Sequence, residues 1–132
     1  AVARQKILLS SLMRPNQKSI QWGTKIMLAM ARDPMKTLVN YSRKRVPALY
    51  GKAFEFTQEG DENSIYTMRV TRCFYHQFFT RHKQPELTRL FCEWDRNWID
   101  PISQTKHKVR FTRPETIATD GESCPFTFTR LD

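Results

Sequence analysis

The chain has little glycine, little cysteine and no long apolar run. Four glycines in 132 residues exclude a low-complexity or collagen-like polymer. Three cysteines, at 73, 92 and 124, are too few and too scattered for a disulfide framework. That count points to a reducing compartment. Apolar runs are short, as in residues 26–31, so none suits a bilayer span. The sequence also lacks the common chemical signatures. No CxxC or HExxH pair offers zinc ligands. No GxGxxG or GxxxxGK[ST] loop offers a phosphate cradle. No GxSxG elbow is present. Neither a cofactor nor a metal is therefore expected.

The most informative shortage is of acid in the first part of the chain. Residues 1–52 carry eleven Lys and Arg against one acid, Asp33, a net +10. Residues 53–132 carry eleven against twelve, a net −1. Such asymmetry suits an anionic partner: an acidic protein surface within a larger multi-subunit complex, or an anionic membrane surface. Arg32, Lys36 and the cluster Arg43, Lys44 and Arg45 are the candidate binding residues. Nucleic acid fits less well. Base stacking needs aromatics among the basic residues, and most aromatics lie after residue 53. A plain solvated helix face, with cations suited to a helix C-terminus, is the alternative origin of the cluster. The chain opens AVARQK, without methionine, which suggests a processed or trimmed product such as one that has lost a transit peptide.

What is present reads as one α+β domain over residues 1–132. Residues 1–52 form its basic helical part and 53–132 its α+β core. Apolar residues cluster at helical spacing over 7–13, and a break is expected at Arg14-Pro15-Asn16. Ile20, Gly23, Met27 and Met30 share a second stripe. Asp33-Pro34 signals a helix start, with Met35, Leu38, Val39 and Ser42 on its face and Pro47 ending or kinking it. Residues 57–63 read as a turn or loop tip. Tyr66, Met68 and Val70 then alternate with polar residues, as in a strand with one buried face. Two helices follow, over 74–82 and from Pro85 onward, the second striped by Leu87, Leu90, Phe91, Trp94 and Trp98. Strands over 108–113 and from Cys124 through Phe128 complete a small antiparallel sheet of three or more strands. The two helices lie between its first and second strands.

The cysteines are the main chemical candidates. Cys73 stands at a strand-to-helix junction, where helix N–H groups lower a thiol pKa. His76 follows it by one turn and offers a Cys/His pair. Cys124 begins a strand, and Cys92 lies within a helix. Glu93 and Asp95 are two apart on a helix and point to different faces, so they are not a carboxylate pair. Simple packing of each thiol as a small hydrophobe is the competing reading.

Residues 70–128 resemble the L-2-amino-thiazoline-4-carboxylic acid hydrolase family. The matching stretches are VTRCFYHQFF, PELTRLFCEWD and VRFTRPETIATDGESCPFTF. Residue by residue they place Cys73, Cys92 with Asp95, Arg113 with Thr116, Gly121, and Cys124 with Phe126 and Phe128. An acidic residue is usual after the last cysteine, and here Pro125 stands there. A weaker similarity extends to ligand-binding domains and carotenoid isomerases built on spaced cysteines. The resemblance implies hydrolysis of a cyclic C–N substrate. Cys73 or Cys124 would be the nucleophile, Asp95 the acid/base, and Arg113 the clamp on a substrate carboxylate. Charge and the lack of a full catalytic constellation favour a different role: a non-catalytic accessory subunit. It would dock by its basic helices on an organellar complex, with a plastid photosynthetic one and the chloroplast stroma favoured. The hydrolase is the alternative.

Overall fold

A computed structural model describes residues 2–132, the side chain of Met13 excepted. Helix α1 runs from Val2 to Met30 and α2 from Pro34 to Tyr50. The expected break at Arg14-Pro15-Asn16 does not occur, because α1 continues through Pro15. The flanking residues Arg14 and Asn16 are exposed there. A solvated stretch lets water satisfy the carbonyl that proline leaves unbonded. Pro47 likewise lies inside α2, which runs three residues further. Asp33 caps α2 as expected: its side chain accepts from the Lys36 N–H at 3.0 Å, with Pro34 next in line.

The sheet has four antiparallel strands in the order β1-β2-β4-β3: β1 (Glu55–Gly60), β2 (Ile65–Arg72), β3 (Val109–Thr112) and β4 (Cys124–Arg130). The first strand was not anticipated. Residues 57–60, expected in a loop, pair with β2 as its edge partner, from Phe56↔Val70 to Gly60↔Tyr66. All but Phe56 of its residues are exposed, so no alternation of apolar residues announces it. Gly60 closes the hairpin with φ +79°, and a Cβ there would collide with the Ile65 carbonyl oxygen.

Between β2 and β3 lie four short helices rather than two: α3 (Phe74–Arg81), α4 (Thr88–Trp94), α5 (Arg96–Ile99) and α6 (Gln104–His107). The stripe from Leu87 to Trp98 is divided at Asp95. The carbonyl of Asp95 accepts from the N–H groups of Trp98 and Ile99, both at 3.1 Å, and so starts α5.

The helices cover one face of the sheet. Register pairs Tyr66 with Phe128, Met68 with Phe126 and Val70 with Cys124, so period-two alternation puts all six on that face. Leu28 of α1 and Met35, Leu38 and Val39 of α2 pack against them. Trp98 stacks on Phe126 at 6.0 Å and meets Phe111 edge-on at 5.8 Å. The opposite face is polar. Thr67 and Thr127 share a hydrogen bond of 2.9 Å, and Arg69 donates to Ser123. Arg130 Nη2 donates to both oxygens of Asp33 at 2.9 Å, tying the end of β4 to the start of α2.

Candidate active site

The apolar layer between helices and sheet is not completely filled. It encloses a cavity of about 480 Å³. The sheet contributes Met68, Val70, Cys124, Phe126 and Phe128 to the wall. Helices α4 and α5 contribute Thr88, Phe91, Cys92, Trp94 and Trp98, with Asp95 between them. Helices α1 and α2 supply the opposite wall, from Ile20 and Gly23 to Leu49 and Tyr50. This volume falls within the range of small-molecule sites.

All four sequence-predicted residues line this one space: Cys73, Asp95, Arg113 and Cys124. The fold brings them from four separate elements. Cys73 caps α3, Asp95 joins α4 to α5, Arg113 follows β3, and Cys124 opens β4. Arg113 Nη1 donates to Asp95 Oδ2 at 2.8 Å, and Nη2 donates to the Cys92 carbonyl at 3.0 Å. Trp98 Nε1 donates to the other Asp95 oxygen at 3.3 Å. The Arg113 guanidinium also lies over the Phe126 ring, 5.1 Å from its centre. Its fork is therefore occupied, and it positions Asp95.

Burial governs the titration of the site. It pushes the Asp95 carboxyl above the usual range despite the Arg113 charge and the Trp98 and Arg113 hydrogen bonds. The backbone N–H groups of His76 and Tyr75 at the start of α3 favour the Cys73 thiolate without capping its sulfur by a hydrogen bond, and burial still raises its pKa. The expected lowering by the helix N-terminus is thus outweighed. His76 acts on Cys73 through its backbone N–H, while its ring Nδ1 is buried with no hydrogen-bond partner among the described residues. Cys124 is raised by burial too, while the Ile117 N–H donates to its sulfur at 3.2 Å. Cys92 is pushed up to about 11, chiefly by burial. All three cysteines are free thiols; Cys124 and Cys73 both help to raise Cys92, and Cys73 helps to raise Cys124.

Several wall residues had no signal in the sequence. Tyr50 lies one position before the Gly51 cap and is buried enough to raise its phenol to about 12. Tyr75 stacks on Phe91 at 4.2 Å. Thr88 is 1% exposed and its hydroxyl has no hydrogen-bond partner among the described residues. An unsatisfied hydroxyl in a cavity wall is a handle for a bound polar atom. A smaller, polar recess of about 370 Å³ shares Cys92 and Arg113 with the main cavity and adds Arg89, Glu93, Glu115 and Thr116.

The turn before Cys124 is held by two residues with different roles. The left-handed residue there is Asp120, with φ +65°, and not Gly121. Gly121 is needed for close approach, because a Cβ would sit 2.8 Å from the Thr116 carbonyl oxygen.

The basic residues divide. Arg43 is engaged within the fold, donating to the Gly60 carbonyl at 2.8 Å and lying over Tyr66. Arg32, Lys36, Lys44 and Arg45 are exposed and make no ion pair among the described residues.

Residues 5–128 match the L-2-amino-thiazoline-4-carboxylic acid hydrolase family. The chain belongs to that family. The match reaches well beyond residues 70–128 and takes in α1 and α2, so both walls of the cavity are part of the family domain. No match was found among curated proteins or among solved structures. No described helix is long and apolar enough to cross a membrane.

Proposed function

We propose that this member of the thiazoline-carboxylate hydrolase family cleaves a C–N bond of a cyclic, amidine-like substrate inside the cavity. The observation that supports this most is the convergence of Cys73, Asp95, Arg113 and Cys124 on one cavity. Cys73 is the nucleophile. It is less buried than Cys124 and stands at a helix start, where the His76 and Tyr75 backbone favours its thiolate. Asp95 is the acid. Burial raises its carboxyl above the ordinary value, which moves it toward the role of a proton donor.

The Cys73 S–H adds across the C=N bond, sulfur to carbon and proton to nitrogen. The ring C–N bond then breaks, its electron pair going to nitrogen, which takes a proton from Asp95. Water adds to the carbon and returns a proton to the Asp95 carboxylate. The carbon–sulfur bond to Cys73 breaks, the thiol recovers its proton, and a carbonyl remains. One water is consumed. Arg113 positions Asp95 throughout.

The test is intact mass measurement after rapid quenching with a 2-amino-thiazoline substrate. The expected result is an adduct on Cys73, absent in Cys73→Ser. Turnover with no adduct and no effect of that change overturns the proposal.

A second reading is a non-catalytic accessory subunit docking on a larger organellar complex. It is supported by the exposed cations Arg32, Lys36, Lys44 and Arg45. An acidic partner retained in low salt and released in high salt is its test.

A further inference from the structure

The most exposed residues of the described cavity wall are Gly23 on α1 and Tyr41 and Leu49 on α2, whereas every lining residue from the sheet and from α4 and α5 is buried or half-buried. The mouth therefore opens between α1 and α2. Gly23 sits there without local need for glycine. Its φ is not positive, and a Cβ would meet nothing within 4 Å. Glycine within a helix costs stability relative to alanine, so close packing and backbone strain do not explain it. What its absent side chain provides is an open passage.

The two helices that frame that mouth have two properties together. Eight of the eleven exposed large apolar residues lie on α1 and α2, among them Trp22 at 68% and Leu49 at 71%. The same two helices carry almost all the excess positive charge, and the one acid of residues 1–52, Asp33, is held by Arg130. Apolar side chains interleaved with uncompensated cations suit an anionic bilayer, where tryptophan settles at the interface and cations meet headgroups. The cavity behind the mouth is walled mainly by aromatics and aliphatics; Thr24 and Ser42 are small polar residues on the α1 and α2 wall, and Thr88, Asp95, Arg113 and the thiols form the polar region across from them. It is also much roomier than a five-membered ring with a carboxylate requires.

We infer that α1 and α2 dock on an anionic lipid surface and that the cavity draws from it an amphiphile, with an apolar body and one polar end, through the gap at Gly23. The inference rests on the cavity being the ligand site, as proposed above, and not on the chemistry carried out there. The apolar body fills the space between Met27, Leu38 and Phe126, and the polar end reaches Thr88 and Asp95.

The experiment has two arms on the full chain. Flotation uses phosphatidylcholine vesicles with and without phosphatidylglycerol. Uptake is followed by the fluorescence of dansylaminoundecanoic acid. Wild type floats with the anionic vesicles only, and salt releases it. Lys44→Glu with Arg45→Glu weakens flotation about tenfold or more. Gly23→Trp improves on glycine as a helix residue and plugs the passage. It floats like wild type but takes up the probe about tenfold less tightly or worse. Cys73→Ser floats and takes up the probe like wild type, so loss of C–N cleavage leaves both arms standing. Absence of flotation on anionic vesicles in low salt overturns the inference, as does capture by an acidic protein in place of vesicles. Undiminished probe uptake by Gly23→Trp overturns the passage.

Discussion

Arg113 Nη1 lies 2.8 Å from Asp95 Oδ2, and the two side chains retain only 14% and 18% of their exposure. This pair, assembled from residues 18 apart in sequence, fixes the acid of the site against the cavity wall. Because Arg113 also holds the Cys92 carbonyl, it links β3 to α4.

Removing one partner strands the other in a poorly solvated place. Arg113→Met is expected to cost about 3 kcal/mol in urea denaturation. The double change Asp95→Asn with Arg113→Met should cost clearly less than the two single costs added. Additive losses would show that the pair does not act as a unit.

The two aspartates of the helical half and the site respond to pH with opposite sign. Asp33 is lowered, first by the Lys36 N–H bond and next by Arg130. Its contribution is present above its unfolded value of 3.8 and is lost as pH falls through the lower folded value. Asp33→Asn should therefore flatten the acid limb of a stability-against-pH curve. Asp95 is raised by burial, so its ionisation weakens the fold as pH climbs past 3.8. An acid limb unchanged by Asp33→Asn would contradict the stabilisation of its carboxylate by the Lys36 N–H and Arg130.

Alkaline pH tests the thiols. The folded pKa of Cys92, about 11, stands above its ordinary value of 9.0. The stability that its protonated form carries is complete below pH 9 and is lost as pH rises toward 11. Cys92→Ser, whose hydroxyl does not titrate there, should lose less stability across that window than wild type. Thiolate absorbance should rise over the same range. Thiolate already formed at neutral pH would refute burial as the dominant influence.

Phe128 is 1% exposed and touches Tyr66, Phe111 and Trp98. Phe128→Ala should cost about 3–5 kcal/mol and lower Tm accordingly. A much smaller loss would mean that the helices do not close on the sheet at this point.

Much of this fold was legible because burial on one face imposes a period. Tyr66, Met68 and Val70, and later Cys124, Phe126 and Phe128, alternate as half-buried strands must. Asp33-Pro34 marked a helix start through capping chemistry. The edge strand β1 escaped notice because its exposed residues have no core to alternate toward. Pro15 misled because a proline in a solvated helix costs stability without forcing a break. Cys73 and Cys124 stood out by their places at strand ends, and Asp95 and Arg113 came from the family resemblance. Their meeting in one cavity depends on sheet order β1-β2-β4-β3, which local sequence does not encode. Gly23 had been placed on a helix stripe, but its role at a mouth depends on α2 lying opposite.

The most direct measurement compares turnover of a 2-amino-thiazoline substrate by wild type, Cys73→Ser, Asp95→Asn and Cys92→Ser. Loss of about a hundredfold or more is predicted for the first two variants, with Cys92→Ser close to wild type. Wild-type rates in both Cys73→Ser and Asp95→Asn would contradict the account.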